Sequence, residues 1–211
     1  MPLTSEDIKF YYTDGATGPS NNSLSLGGTI SGSSITSGVA NNIFDDVTGD
    51  EASHGTIEYR AIAVKDASSS YDMLNVKVWI SGYKRAATKA DTIYFALENP
   101  TGSPATIQQI PDPYTAPDES KFVTKKGNTV EWTVEGSPSN TLEFGTVNAG
   151  EWFGIWLKRD VPGSASPYSD RSCTITVQCE TTASPYRYTV LKTYEIVWNG
   201  NDFYVFPVEI P

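Results

Sequence analysis

The side chains able to do chemistry are few in this sequence, and they are scattered. His54 is the only histidine, so any site built from several histidines is excluded. It sits in Ala52-Ser53-His54-Gly55, a loop before a strand, and reads as an exposed bystander rather than a general base. Cys173 and Cys179 lie six residues apart in a strongly alternating segment. An extended strand would hold their Cα atoms about 20 Å apart, and a disulfide needs less than about 7 Å. Both read as free, core-facing thiols, in keeping with a reducing cytoplasm, and neither has a basic neighbour in sequence to make it a thiolate. Asp45, Asp46, Asp50 and Glu51 supply the carboxylates a calcium ion takes, but not at EF-hand spacing, and solubility alone accounts for the run. Two carboxylates far apart in the chain can form a glycoside-hydrolysing pair, yet nothing marks one. Gly27-Gly28 lack the spacing and following helix of a phosphate-binding loop. The expectation is a chain with no catalytic residues, no cofactor and no metal site, and not an enzyme.

The tryptophans offer a different chemistry. Trp79, Trp132, Trp152, Trp156 and Trp198 would make a sugar-binding platform if several were exposed. Trp132 is in phase with Val130 and Val134 and reads as core. Trp152 and Trp156 share a face opposite Phe153, Ile155 and Leu157, so that strand is apolar on both sides. Such a strand is buried in the fold or in an interface, and an interface is the expectation here.

Elements must position these side chains, and the composition favours strands. Aromatic residues make up 12% of the 211, and the 17 Gly and 13 Pro punctuate the chain often, as short strands joined by turns require. The net charge is −10, and residues 1–58 carry eight acids against one base, Lys9. An acidic surface repels nucleic acid and anionic membranes, so neither is an expected partner, whereas a basic protein surface suits it. No apolar run approaches transmembrane length, and the expectation from the opening residues is that they are not a leader.

Alternation predicts strands over 8–12, 57–64, 74–80, 92–97, 129–134, 142–147, 151–159 and 171–179. Leu74, Val76, Val78, Ile80, Ile93, Phe95 and Leu97 are the predicted core. About seven strands between 56 and 180 give an all-β, immunoglobulin-like antiparallel sandwich. The Gly/Ser-rich stretch Gly15 to Ala40 has too few apolar residues for a core of its own. It is either a mobile arm or an extended segment ordered by what it lies against. Residues 186–206 predict a C-terminal hairpin turning at Asn199-Gly200. The chain thus divides into 1–55 (strand, arm and acidic loop), 56–184 (sandwich) and 185–211 (hairpin extension), as one domain.

Several phrases carry a resemblance: Ser25-Leu26-Gly27-Gly28-Thr29-Ile30-Ser31, the stretch Asn42 to Ala52, Glu58 to Lys65, Val76 to Ile80, and Ala149 to Arg159. Together they resemble a family of virion structural proteins of tailed bacteriophages. The resemblance implies a virion location, with assembly in the host cytoplasm. It implies the major capsid protein or other virion proteins as partners, and self-association, with a trimer as the expectation. Acidity places the protein away from packaged DNA. A capsid decoration (cement) protein fits first; a neck, collar, baseplate or fibre-associated component, or a carbohydrate-binding module, is the alternative.

Overall fold

The structure, a computed structural model, describes residues 3–13, 20–123, 132–133, 141–181 and 189–198. Among these the regular elements are nearly all strands: β1 (Ile8–Thr13), β2 (Gly27–Gly28), β3 (Ile30–Ser34), β4 (Thr56–Asp66), β5 (Met73–Lys84), β6 (Thr92–Glu98), β7 (Ile107–Gln109), β8 (Leu142–Val147), β9 (Trp152–Val161), β10 (Arg171–Thr181) and β11 (Thr189–Trp198). A five-stranded sheet runs β3-β1-β4-β9-β6 and a four-stranded sheet runs β11-β10-β5-β8, with every strand pair antiparallel. From β4 to β6 and from β8 to β10 the chain alternates between the sheets. It is an all-β sandwich. No helix among the described residues is long and apolar enough to cross a membrane, which leaves membrane β-barrels unaddressed.

Period-two alternation produces the core. Ile62 and Val64 of β4, Phe153, Ile155 and Leu157 of β9, and Ile93, Phe95 and Leu97 of β6 face Val76, Val78, Ile80, Cys173, Ile175 and Val177 across the sandwich, all 0% exposed. Each such side chain contributes about 1.5–3 kcal/mol through burial. Leu74 departs from its expected place. Asn75 takes a positive φ of 50° and the β5–β8 register slips between Met73 and Val76. One extra residue reverses the alternation, so Met73 enters the core and Leu74 stays half-exposed.

The five-stranded sheet is covered on its other face as well. Tyr59, Ala61, Ala96 and Trp156 form a second core with Ile107, Ile110 and Phe122, contributed by the β2–β7 pair and the loop after it. Gly154 of β9 lies beneath Ile107: a Cβ there would come within 2.9 Å of Ile107 Cγ2. Gly27 permits the approach of β2 to β7, since a Cβ would sit 1.9 Å from the Gln108 carbonyl oxygen. The molecule therefore has three layers. The expectation that the doubly apolar β9 marks a subunit interface is corrected: its second apolar face is buried by the same chain, with Trp156 fully enclosed.

Of the two states open to the Gly/Ser stretch, residues 20–40 take the second: they are extended and ordered against the chain's own sheets. Hydroxyls supply the hold that apolar residues do not. Ser25 Oγ accepts from the Thr13 amide at 2.9 Å and donates to the Ala61 carbonyl, while Thr13 Oγ1 accepts from the Gly27 amide at 3.0 Å. Downstream, the buried Asn42 fastens the segment to β11. Its Nδ2 donates to the carbonyls of Thr36 and Glu195, and its Oδ1 accepts from the Val197 amide. Ile35, Ile43, Phe44 and Val47 then join the main core. Residues 14–19, and the turn and return strand of the expected C-terminal hairpin, lie outside the described residues; its first strand is β11.

Candidate functional site

The N-terminal half of β4 gathers a cluster of buried charged side chains. Glu58 and Arg60 fall on the same strand face as Ile62 and Val64, so they point into the sandwich. Arg159 of β9 lies opposite Glu58 in register. Its guanidinium, 0% exposed, donates from Nη2 to Glu58 Oε2 and to Asp45 Oδ1 (3.2 Å), and from Nη1 to the Asp45 carbonyl. Arg60 donates from Nε to the Asn22 carbonyl at 2.9 Å and from Nη1 to the Tyr59 carbonyl at 3.0 Å, and its Nη2 lies 3.8 Å from Glu58 Oε1. Both guanidinium carbons sit over the Phe44 ring, at 5.8 Å for Arg60 and 5.0 Å for Arg159. Buried charges persist only when paired and hydrogen-bonded, and this cluster meets that demand except at Arg159 Nε, which has no partner.

Burial pushes the Glu58 carboxyl above the usual carboxylate range, against the pull of Arg159 and Arg60. The cluster reaches solvent at Asp45, whose side chain is 62% exposed. Beside it stands Tyr114, also 62% exposed, with its phenol held above the ordinary value chiefly by the negative charge of Glu58, then by burial, Glu51 and Asp45. The Tyr59 amide donates to the Pro113 carbonyl, and the Ala61 amide to the Ser25 carbonyl. These bonds bring Tyr114 and Leu24 alongside β4, where Ile57 is exposed too. Leu24 is 54% exposed and Ile57 44%. Leu24, Ile57 and Tyr114 are thus exposed apolar side chains near the N-terminal half of β4, with the carboxylates of Glu51 and Asp45 close enough to Tyr114 to act on its phenol.

The acidic run is divided among separate partners. Asp45 serves Arg159, and Asp46 accepts from Asn41. Glu51 closes a capping box with Thr48 at the start of the short helix α1 (Gly49–His54). Asp50 pairs with His54, 3.1 Å away on an exposed surface. Among the described residues no three metal-binding side chains converge. Cys173 and Cys179 are unpaired and buried; burial raises both thiols, that of Cys179 to about 12, so neither is a thiolate near neutral pH.

The tryptophans form no exposed row. Trp79, Trp156 and Trp198 are buried, and Trp198 Nε1 donates to Asp91. Trp132 is half-buried rather than core. It packs on Tyr59 and Phe122, donates to Glu119 at 2.7 Å, and with Tyr94 encloses the Lys158 ammonium. Its expected strand neighbours lie outside the described residues, while Thr133 bridges to Phe95.

Sequence reasoning passed over Glu58, Arg60, Arg159 and Tyr114. For the first three a signal exists: charged residues stand in phase with Ile62 and Val64, or with Ile155 and Leu157, at positions where a strand turns inward. Tyr114, in a proline-rich loop, carries none.

No protein-family model matches this chain, and no curated protein matches it. Among solved structures it is similar to a chain of a family 123 glycoside hydrolase from Clostridium perfringens, at 10% sequence identity and a TM-score of 0.32. The likeness covers 76% of this chain, which spans 23% of the length of that one. That solved chain is an enzyme, so the expectation that the present chain is not one is withdrawn and not carried further. At that identity and TM-score the likeness brings neither residue roles nor an activity to the present chain.

Proposed function

We propose that this chain is a structural protein of a tailed-bacteriophage virion. In this reading it docks on the outer shell as a decoration protein, with the major capsid protein as partner and a trimer as its own assembly. The observation that carries the reading is the patch of Leu24, Ile57 and Tyr114 beside β4. Exposed apolar side chains with charge close by are the composition of a docking site, and the carboxylates of Asp45 and Glu51 complement a basic partner surface. Leu24 and Ile57 stand next to two of the stretches, Ser25 to Ser31 and Glu58 to Lys65, that resemble virion proteins. With residues 20–47 laid on their own sheets, docking is assigned to this patch and not to a free arm.

Co-sedimentation with purified, undecorated tailed-phage capsids tests it. The chain is expected to pellet with shells, and Tyr114→Asp combined with Leu24→Asp is expected to weaken binding about 30-fold or more, as loss of a central anchor does, with an unchanged melting temperature. Failure to pellet, or binding indifferent to the substitutions, overturns the assignment.

A further inference from the structure

The outward face of the four-stranded sheet carries a feature that docking leaves unused. On β5, Asn75 has a positive φ of 50°; on β8, Gly145 has a φ of 101°; and the β5–β10 register slips between Gln178 and Glu180. Three adjacent strands thus break their regular pairing at one level. A bulge bends its strand and re-aims its side chains, and three in a row turn a flat sheet face into a groove of about 280 Å3. This lies near the small end of ligand pockets, roughly 300–1,000 Å3. Asn75, Lys77, Glu143, Gly145, Gln178 and Glu180 line it.

The chemistry of the lining narrows the ligand. Asn75 Nδ2 donates to Glu180 Oε2 at 3.1 Å, and the Lys77 ammonium lies 4.0 Å from Glu143. Donors and acceptors therefore alternate around the groove, and both amides have an oxygen and a nitrogen to offer. Two carboxylates against one ammonium, on a chain of net charge −10, disfavour an anion. Two carboxylates with an ammonium between strands are too few for a hard cation, which takes six to eight oxygens. A neutral polyhydroxylated ligand needs just this mixture, because each hydroxyl both donates and accepts. Beyond the lining, Leu191 stands opposite Gln178 in the β10–β11 register and is 49% exposed, an apolar side chain available to a ring that overhangs the groove's β10 side. We infer that this groove binds a neutral glycan, one sugar ring at a time, by hydrogen bonds with Asn75, Gln178, Glu143 and Glu180, with Leu191 beside it on the neighbouring strand. The inference is independent of the virion assignment, because the groove lies on the other sheet from the docking patch.

The test is a titration of the isotopically labelled full chain with maltotriose, cellotriose, chitotriose, mannotriose and galactotriose, followed by amide NMR shifts. At least one trisaccharide is expected to move the signals of Asn75, Gly145, Gln178 and Glu180. Gln178→Ala should weaken that binding roughly tenfold, the effect of one lost hydrogen bond that leaves its partner unmet. Glu143→Gln, at an exposed position that leaves the fold intact, should weaken it similarly and serves if Gln178→Ala does not fold. Calcium chloride and sodium phosphate are the comparison ligands. Overturning results are silence from all five sugars, shifts confined to residues elsewhere, binding unaffected by either substitution, or shifts at the groove from calcium or phosphate alone.

Discussion

Replacing Glu58 by alanine probes the buried ion-pair cluster. The substitution strands Arg159, which is fully buried, with only the carbonyl and carboxylate of Asp45, and it leaves the Arg60 guanidinium nearby without its carboxylate. Removing one side of a buried ion pair costs about 3–5 kcal/mol, because the remaining charge is desolvated without compensation. In a chain of 211 residues each kcal/mol lowers the melting temperature by about 2–4 °C, so the expected fall is about 6–20 °C. Guanidinium titration monitored by tryptophan fluorescence should show the same loss as a shifted midpoint with unchanged slope. Adding Arg159→Met to Glu58→Ala removes the stranded charge. The double variant is therefore expected to be more stable than Glu58→Ala alone, a coupling that only neighbouring groups display. A loss below about 1 kcal/mol, the size typical of an exposed pair, would refute the reasoning. So would a double variant that is worse by the sum of the two single losses.

Gly154→Ala drives a methyl into Ile107 and is expected to cost about 1–3 kcal/mol by overpacking. Ile107→Ala should relieve it, so thermal melts of the pair should be less than additive, and strict additivity would mean that β7 does not lie on β9. Asp66 carries a different signature. Its side chain is fully buried with Oδ2 unpartnered, and burial, reinforced by Asp7 and Asp72, holds its carboxyl above the usual range despite hydrogen bonds from Ser68. The folded state then binds this proton more readily than the unfolded chain, whose carboxyl titrates near about 3.9. Its stabilising contribution is complete below that value and is lost as pH rises through the raised folded value. Asp66→Asn should therefore gain stability relative to the parent chain as urea titrations move from pH 4 to pH 7, and a pH-independent difference would contradict it.

Much of the sandwich was legible because alternation and burial are two views of one constraint. The predicted strands over 57–64, 92–97, 142–147, 151–159 and 171–179 correspond to β4, β6, β8, β9 and β10, and nearly all of the predicted core is buried. The exceptions have local causes. Leu74 was misplaced because a positive φ at Asn75 shifts the phase by one residue, and asparagine tolerates that conformation without advertising it. The helix α1 was legible but unread: Thr48 and Glu51 are spaced as a capping box. The covering layer was hidden because β2 has only two residues, both glycine, and β7 three. Sequences so short have no period, so the second apolar face of β9 pointed outward to a partner when the chain itself supplies the cover. The ordering of residues 20–40 rests on buried hydroxyls and Asn42, whose partners lie up to 155 residues away, beyond what a hydropathy pattern can register. The residues proposed for docking, Leu24, Ile57 and Tyr114, come from three segments, and only the fold sets them near the same strand.

Cryogenic electron imaging of capsids decorated with the full chain addresses the central claim most directly. The sandwich should appear outside the shell, with Leu24, Ile57 and Tyr114, near the N-terminal half of β4, against the capsid surface and the groove of Asn75 and Gln178 open to solvent. Density inside the shell, an attachment through the outward face of the four-stranded sheet, or shells that remain bare would contradict it.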